Sequence, residues 1–127
     1  MSGKSYIPLK DLEVYQLSRK LSAMAWRIYD RMNFEEKKTM GDQFIRSVDS
    51  VGANIAEGYN RYHYLDKIRF FYYSRASMAE AIEHWLELMY EREKVSKEHV
   101  DQMKELHQKL QVKLNNFITT TYKSAKK

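Results

Sequence analysis

Between Tyr59 and Tyr73 the sequence holds seven aromatic residues: Tyr59, Tyr62, Tyr64, Phe70, Phe71, Tyr72 and Tyr73. Between Arg61 and Arg75 it holds four cations, Arg61, Lys67, Arg69 and Arg75, against one acid, Asp66. Rings stack on unpaired bases and cations hold phosphates, so this mixture is the raw material of single-stranded nucleic-acid recognition. Phe71 and Tyr72 fall on apolar helix rows and are expected in the core, which leaves Tyr62 and Tyr64 as the exposed rings. Two other stretches are basic. Lys109, Lys113, Lys123, Lys126 and Lys127 meet no acid after Glu105, and Arg19, Lys20, Arg27 and Arg31 stand near the N-terminus. The candidate nucleic-acid contacts are therefore Arg19, Lys20, Arg27 and Arg31, then Arg61, Tyr62, Tyr64, Lys67 and Arg69, then Lys109, Lys113 and Lys123.

Other chemistry finds little material. There is no cysteine, which removes disulfides, thiolate zinc sites and a cysteine nucleophile. A carboxylate-bridged di-metal site in a helical bundle needs Glu-x-x-His on two helices. None of His63, His84, His99 and His107 has a Glu three residues before it, and Glu80 with His84 is half a site at best. Four scattered glycines cannot build a phosphate loop. Glu83, Glu87 and Glu91 recur at four-residue steps, a solvated acidic stripe or a surface for basic groups on a partner. No catalytic residue, cofactor or metal is expected. Arg46, Glu57, Arg75 and Glu80 sit among apolar seam positions. Some of them are expected to be partly buried and paired, because an unpaired buried charge is costly, and such pairs can set register between helices or subunits.

These residues need elements to hold them. The chain has 127 residues, 4 Gly and 1 Pro, which suits a single domain of long uninterrupted helices. Four segments carry three- and four-residue apolar spacing, over about 11–32, 39–60, 65–93 and 96–122, with a basic tail at 123–127. The seams are Val14, Leu17, Leu21, Met24 and Ile28; Phe44, Val48, Val51, Ile55 and Tyr59; and Val100, Met103, Leu106, Leu110, Leu114, Phe117 and Ile118. Segment three has one row through Leu65, Ile68, Tyr72, Ala79, Ile82, Leu86 and Met89. Its second row, Phe71, Met78, Trp85 and Leu88, is a candidate oligomer interface. Asp11, Thr39 (with Asp42) and Ser96 are the expected N-caps. Gly52 suits a close helix approach and Gly58 a helix end or bend. The expected fold is an all-α, antiparallel up-and-down four-helix bundle. No stretch is apolar enough to cross a bilayer and Met1 to Lys10 lacks a signal-peptide core, so the expected compartment is the cytoplasm. A net charge of +5 leans mildly toward polyanions.

Gln43-Phe44-Ile45-Arg46, the run Ala53-Asn54-Ile55-Ala56-Glu57-Gly58, Asp11-Leu12-Glu13-Val14-Tyr15-Gln16, and Phe70, Arg75 and Glu80 carry a family likeness. From about Leu9 to Tyr122 the chain resembles the four-helix-bundle family of large-subunit (23S) ribosomal RNA intervening-sequence proteins. That family is related to the accessory variability proteins of diversity-generating retroelements. Where many members have Ile-Pro before the Ala-Asn-Ile run this chain has Val51-Gly52, and where they open helix three after Ser-Thr it has His63-Tyr64. Those accessory proteins form a pentameric basic barrel that binds nucleic acid and a reverse transcriptase; for this chain the resemblance implies a self-associating all-α bundle, five subunits favoured, without enzymatic activity. Two functions compete. One is a homo-oligomer binding RNA or DNA with little sequence specificity. The other is a scaffold ring whose main partner is another protein such as a reverse transcriptase.

Overall fold

The computed structural model describes residues 6–125. Met1–Ser5 and the tail residues Lys126 and Lys127 lie outside the described residues. After a 3-10 turn at Leu9–Asp11 come four helices: α1 Glu13–Asp30, α2 over 34–59, α3 over 64–91 and α4 Lys97–Ala125. No strand occurs among the described residues. The fold is an all-α four-helix bundle. α2 packs on α1, α3 on α2 and α4 on α3, and α4 closes back on α1.

The helix starts show which local signals won. Asp11 does not cap α1: it ends the 3-10 turn, and Leu12 stands at the cap position without a side-chain bond. α2 begins five residues before Thr39. Asn33 Oδ1 accepts from Glu36 N at 2.8 Å while Asn33 N donates to Glu36 Oε1 at 2.9 Å, a reciprocal capping box. Thr39 lies inside a π turn, Lys37–Gly41, its hydroxyl donating to the Glu35 carbonyl at 3.0 Å. Ser96 does cap α4, accepting from His99 N at 3.2 Å. α4 continues to Ala125, past the expected end at 122.

The core holds Leu21, Phe44, Val48, Val51, Ile55, Ile82, Leu86, Met89, Met103, Leu110 and Leu114, all buried. In α3 the expected inward row holds at Ile68, Ile82, Leu86 and Met89, but in the first half of the helix the second row takes the core. Phe71 and Met78 are wholly buried, whereas Leu65 is 67% and Tyr72 44% exposed. The inward row runs Ile68, Phe71, Ser74, Met78, Ala81 and Ile82, and Ser74 fills an apolar position because its hydroxyl donates to the Val51 carbonyl of α2 at 2.8 Å. A second π turn, Glu80–Leu86, rephases the helix beyond it.

Candidate nucleic-acid interface

The corner where α2 gives way to α3 brings the predicted aromatic and basic residues together, and binds most of its cations internally. The Lys67 ammonium donates to the Tyr59 carbonyl at 2.7 Å and lies 5.5 Å from the Tyr59 ring centre, closing the C-terminus of α2. Burial pushes its pKa down. Arg61 pairs with Glu57 at 3.0 Å and sits over the Phe70 ring at 4.7 Å. Arg69 pairs with Asp66 at 3.1 Å and faces the same ring at 5.5 Å. Tyr62 and Tyr64 are exposed as expected, at 89% and 48%.

The cations of α1 and α4 are differently placed. Lys20 and Arg27 of α1 and Lys109 of α4 rim one groove of about 800 Å³, over Ala23, Met24, Leu106 and Val112. None of these three has a carboxylate at ion-pair distance among the described residues, and Glu105 is the one acid in the lining. Arg31 and Lys123 are exposed near opposite ends of the bundle. Lys113 is matched, 3.4 Å from Glu13, and Arg19 donates to the Tyr15 hydroxyl at 2.9 Å. On the other flank of α1, Trp26 lies between Arg19 and Arg27 in a groove of about 710 Å³ whose α2 wall is Asp49, Gly52, Ala53 and Ala56. Trp26 is 53% exposed, its ring centre 5.3 Å from that of Tyr29. The sequence reading missed Trp26. The available signal was a large ring lying off the α1 seam between two arginines.

Two other sets of candidates are redistributed. Phe71 and Met78 fill the core of their own bundle and offer no surface to a second copy, which leaves the half-buried Trp85 and Leu88 of that set. Arg46, Glu57, Arg75 and Glu80 form no ion pair with one another. Arg46 is exposed and Glu57 pairs with Arg61 on the surface. Arg75 donates to the Asn115 side chain at 2.9 Å and lies over the Tyr72 ring, joining α3 to α4. Glu80 accepts from the Trp85 indole at 2.9 Å. Among the described residues, Lys113–Glu13 and Lys104–Glu87 pair between helices, and Lys94 of the α3–α4 loop pairs with Glu36 of α2 at 2.9 Å. Among the described residues no group of three or more His, Asp or Glu side chains could hold a metal ion, and no helix is long and apolar enough to cross a membrane.

A sequence model of the family described as 23S rRNA-intervening sequence protein matches residues 10–116. The chain belongs to this family. A crystal structure of a protein with unknown function from the S23 ribosomal protein family of Bacteroides thetaiotaomicron VPI-5482 has the same fold. The TM-score is 0.77 at 24% identity, over 84% of this chain and 96% of that one. Among curated proteins none matches significantly. The residues that carry the family likeness have structural tasks here. In the Ala53–Gly58 run, Ile55 is core, Gly58 lets α3 approach α2, and Ala53 and Ala56 line the groove beside Trp26. Asn54 donates to the Ser50 carbonyl at 2.9 Å.

Proposed function

We propose that this intervening-sequence protein is a non-enzymatic, cytoplasmic, self-associating bundle that binds RNA or DNA with little sequence specificity along its α1–α4 face. The observation that carries this reading is the contrast between two sets of cations. Those of the α2–α3 corner are neutralised or spent on helix ends, whereas Lys20, Arg27 and Lys109 rim an apolar-floored groove with no acid paired to them. Phosphates take the rim, and unpaired bases take the apolar floor of Ala23, Met24, Leu106 and Val112.

A titration of purified protein against labelled single-stranded RNA and duplex DNA at low salt tests the reading. Affinity falls steeply with salt, by a slope of about 0.7 per phosphate neutralised on single strands. Charge reversal at Lys20, Arg27 and Lys109 together abolishes most of the binding and flattens that slope by about 2. Reversal at Arg61 and Arg69 changes it little. Equal losses from the two sets would overturn the assignment of the face. No binding at tens of micromolar protein would leave the scaffold reading in place.

The scaffold reading draws on the α1–α2 groove. A half-exposed Trp26 beside Ala23, Gly52, Ala53 and Ala56 is the combination of a large anchor and small neighbours that a docking helix uses. This groove serves self-association, with five subunits the number the family resemblance implies, or a partner such as a reverse transcriptase. Light scattering that reports a monomer for the wild-type protein would refute assembly. A Trp26→Glu variant that stays oligomeric would move the contact elsewhere.

A further inference from the structure

α4 has a second flank. Between α3 and α4 runs a groove of about 970 Å³ whose charge is opposite to that of the basic groove. Glu83, in the π turn of α3, and Glu87 form one wall, and Asp101, Lys104 and Glu105 of α4 the other. Two of the acids are already matched: Glu87 pairs with Lys104 and Asp101 with Lys97. Glu83 and Glu105 have neither an ion pair nor a hydrogen bond among the described residues. They project from facing helices of a protein whose net charge is +5.

His107 supplies an independent observation. It is buried, 9% exposed, at a seam position of α4, and no hydrogen bond reaches its ring. No fully enclosed side-chain nitrogen or oxygen lacks a partner among the described residues, so the His107 nitrogens meet the outside, through the groove that His107 lines. Burial lowers its pKa, partly opposed by Glu83, so near neutral pH the ring is uncharged and one nitrogen accepts. Among the described residues no group of three or more acidic or histidine side chains converges tightly enough for a metal ion. The acceptors suit a larger cation that spreads its donors. A guanidinium presents five N–H groups in one plane, where an ammonium presents three at a point. The lining runs from Asp101 to Gln111, about 15 Å of helix, the length of four or five extended residues.

We propose that the α3–α4 groove docks an arginine-bearing basic segment of a partner protein, its guanidinium entering between Glu83 and Glu105 and donating to His107. Gln108 and Gln111 offer amides to the segment's backbone. This proposal is independent of the nucleic-acid reading, because it uses the other flank of α4 and the opposite charge. Protonating His107 places a cation in the groove, with Glu83 and Glu87 of α3 and Asp101, Lys104 and Glu105 of α4 as its charged surroundings. Binding therefore weakens as the solution is acidified.

Fluorescence anisotropy with the full chain and a labelled seven-residue peptide of alternating arginine and glycine tests this, with lysine and glutamate versions as controls. The arginine peptide is expected to bind best, the lysine peptide more weakly and the glutamate peptide not at all. A Glu83→Gln, Glu105→Gln double variant, checked for unchanged helicity, is expected to lose at least about tenfold in affinity, or 1.4 kcal/mol. Wild-type affinity is expected to drop between pH 7.5 and 5.5, and a His107→Gln variant to lose that dependence. Unchanged arginine-peptide binding in the double variant overturns the proposal. So does an absence of binding at millimolar peptide. A double variant whose oligomeric state differs from wild type by light scattering also overturns it, because a second copy then fills the groove.

Discussion

Replacing Gly58 by Ala tests whether the family's Ala-Asn-Ile-Ala-Glu-Gly run is a packing device. Inside a helix, Gly to Ala ordinarily stabilises by about 1 kcal/mol. At Gly58 the added Cβ would lie 2.8 Å from Phe71 Cε1, 2.9 Å from the Lys67 carbonyl oxygen and 2.9 Å from Phe70 Cβ. The carbonyl belongs to the α3 backbone and moves only if α3 moves. Restoring ordinary contact near 3.4 Å needs a withdrawal of half an ångström. That shift loosens Phe71 in the core and stretches the Ser74–Val51 hydrogen bond between the two helices. Overpacking of this kind costs about 1–3 kcal/mol, and a weakened buried hydrogen bond adds up to about 1. Set against the helix-propensity gain, the net loss is about 2 kcal/mol. For a chain of this length that is a fall of about 8 °C in Tm. Gly52 provides the control. Its Cβ would meet one close atom, Ser18 Oγ at 2.8 Å, with the next contact at 3.6 Å. A hydroxyl can rotate away, at the cost of its bond to the Tyr15 carbonyl, about 1 kcal/mol, which the propensity gain offsets. Gly52→Ala should be near neutral. Thermal and urea unfolding followed by circular dichroism decides the matter. A Gly58→Ala protein within about 2 °C of wild type would refute the close-approach argument, as would a Gly52→Ala protein equally damaged.

Leu21, Ile55, Ile82 and Leu110 are each at most 2% exposed, and truncating any one to Ala should cost about 2–5 kcal/mol in urea denaturation; losses below about 0.5 kcal/mol at most of them would mean the wrong faces are buried. His107 gives a pH dependence: its folded pKa lies below the ordinary 6.5, so under that pH the unfolded chain binds more protons and stability falls with acidification. Wild type should therefore lose more Tm than His107→Leu between pH 7.5 and 5.5, and parallel losses would contradict the assignment. Glu105 lines both the basic and the acidic groove, so Glu105→Gln should strengthen RNA binding and weaken arginine-peptide binding in the same preparation; a change of both in one direction would show that the grooves do not share its charge.

Much of the bundle was legible because its seams are apolar at every helical step, as in Phe44, Val48, Val51 and Ile55. Where a small polar residue occupies an inward position the reading slipped. Ser74 interrupts the row through Phe71 and Met78, so that row reads as a second, outward face. Only the hydrogen bond to the Val51 carbonyl shows why a serine belongs inside. Ser18 is buried opposite Gly52 in the same way, but its hydroxyl donates within α1, to the Tyr15 carbonyl. The start of α2 was legible as Asn33-x-x-Glu36, but the charged stretch after it carries no apolar period to draw attention. At the candidate site, composition located the cations and could not say which of them were engaged. Arg61 and Arg69 find partners one turn away and Lys67 finds one across the adjoining corner, at the end of α2, whereas the freedom of Lys20, Arg27 and Lys109 depends on what α4 places beside α1.

A net charge of +5 therefore describes no surface of this molecule. The α1–α4 flank is basic over an apolar floor, and the α3–α4 flank is acidic around a buried imidazole, with one helix between them. Long-range attraction is set by the sum of charges, but contact is set by the few without an internal partner. By that measure the two flanks suit two ligands of opposite sign at the same time. Glu105 borders both, so a cation held in the acidic groove would relieve the repulsion that this carboxylate exerts on a phosphate in the basic one. Linkage requires the converse: a bound polyanion would raise affinity for the basic segment by the same factor. Under the two proposals taken together, the bundle joins a nucleic acid to a protein, with the strength of each contact depending on the presence of the other.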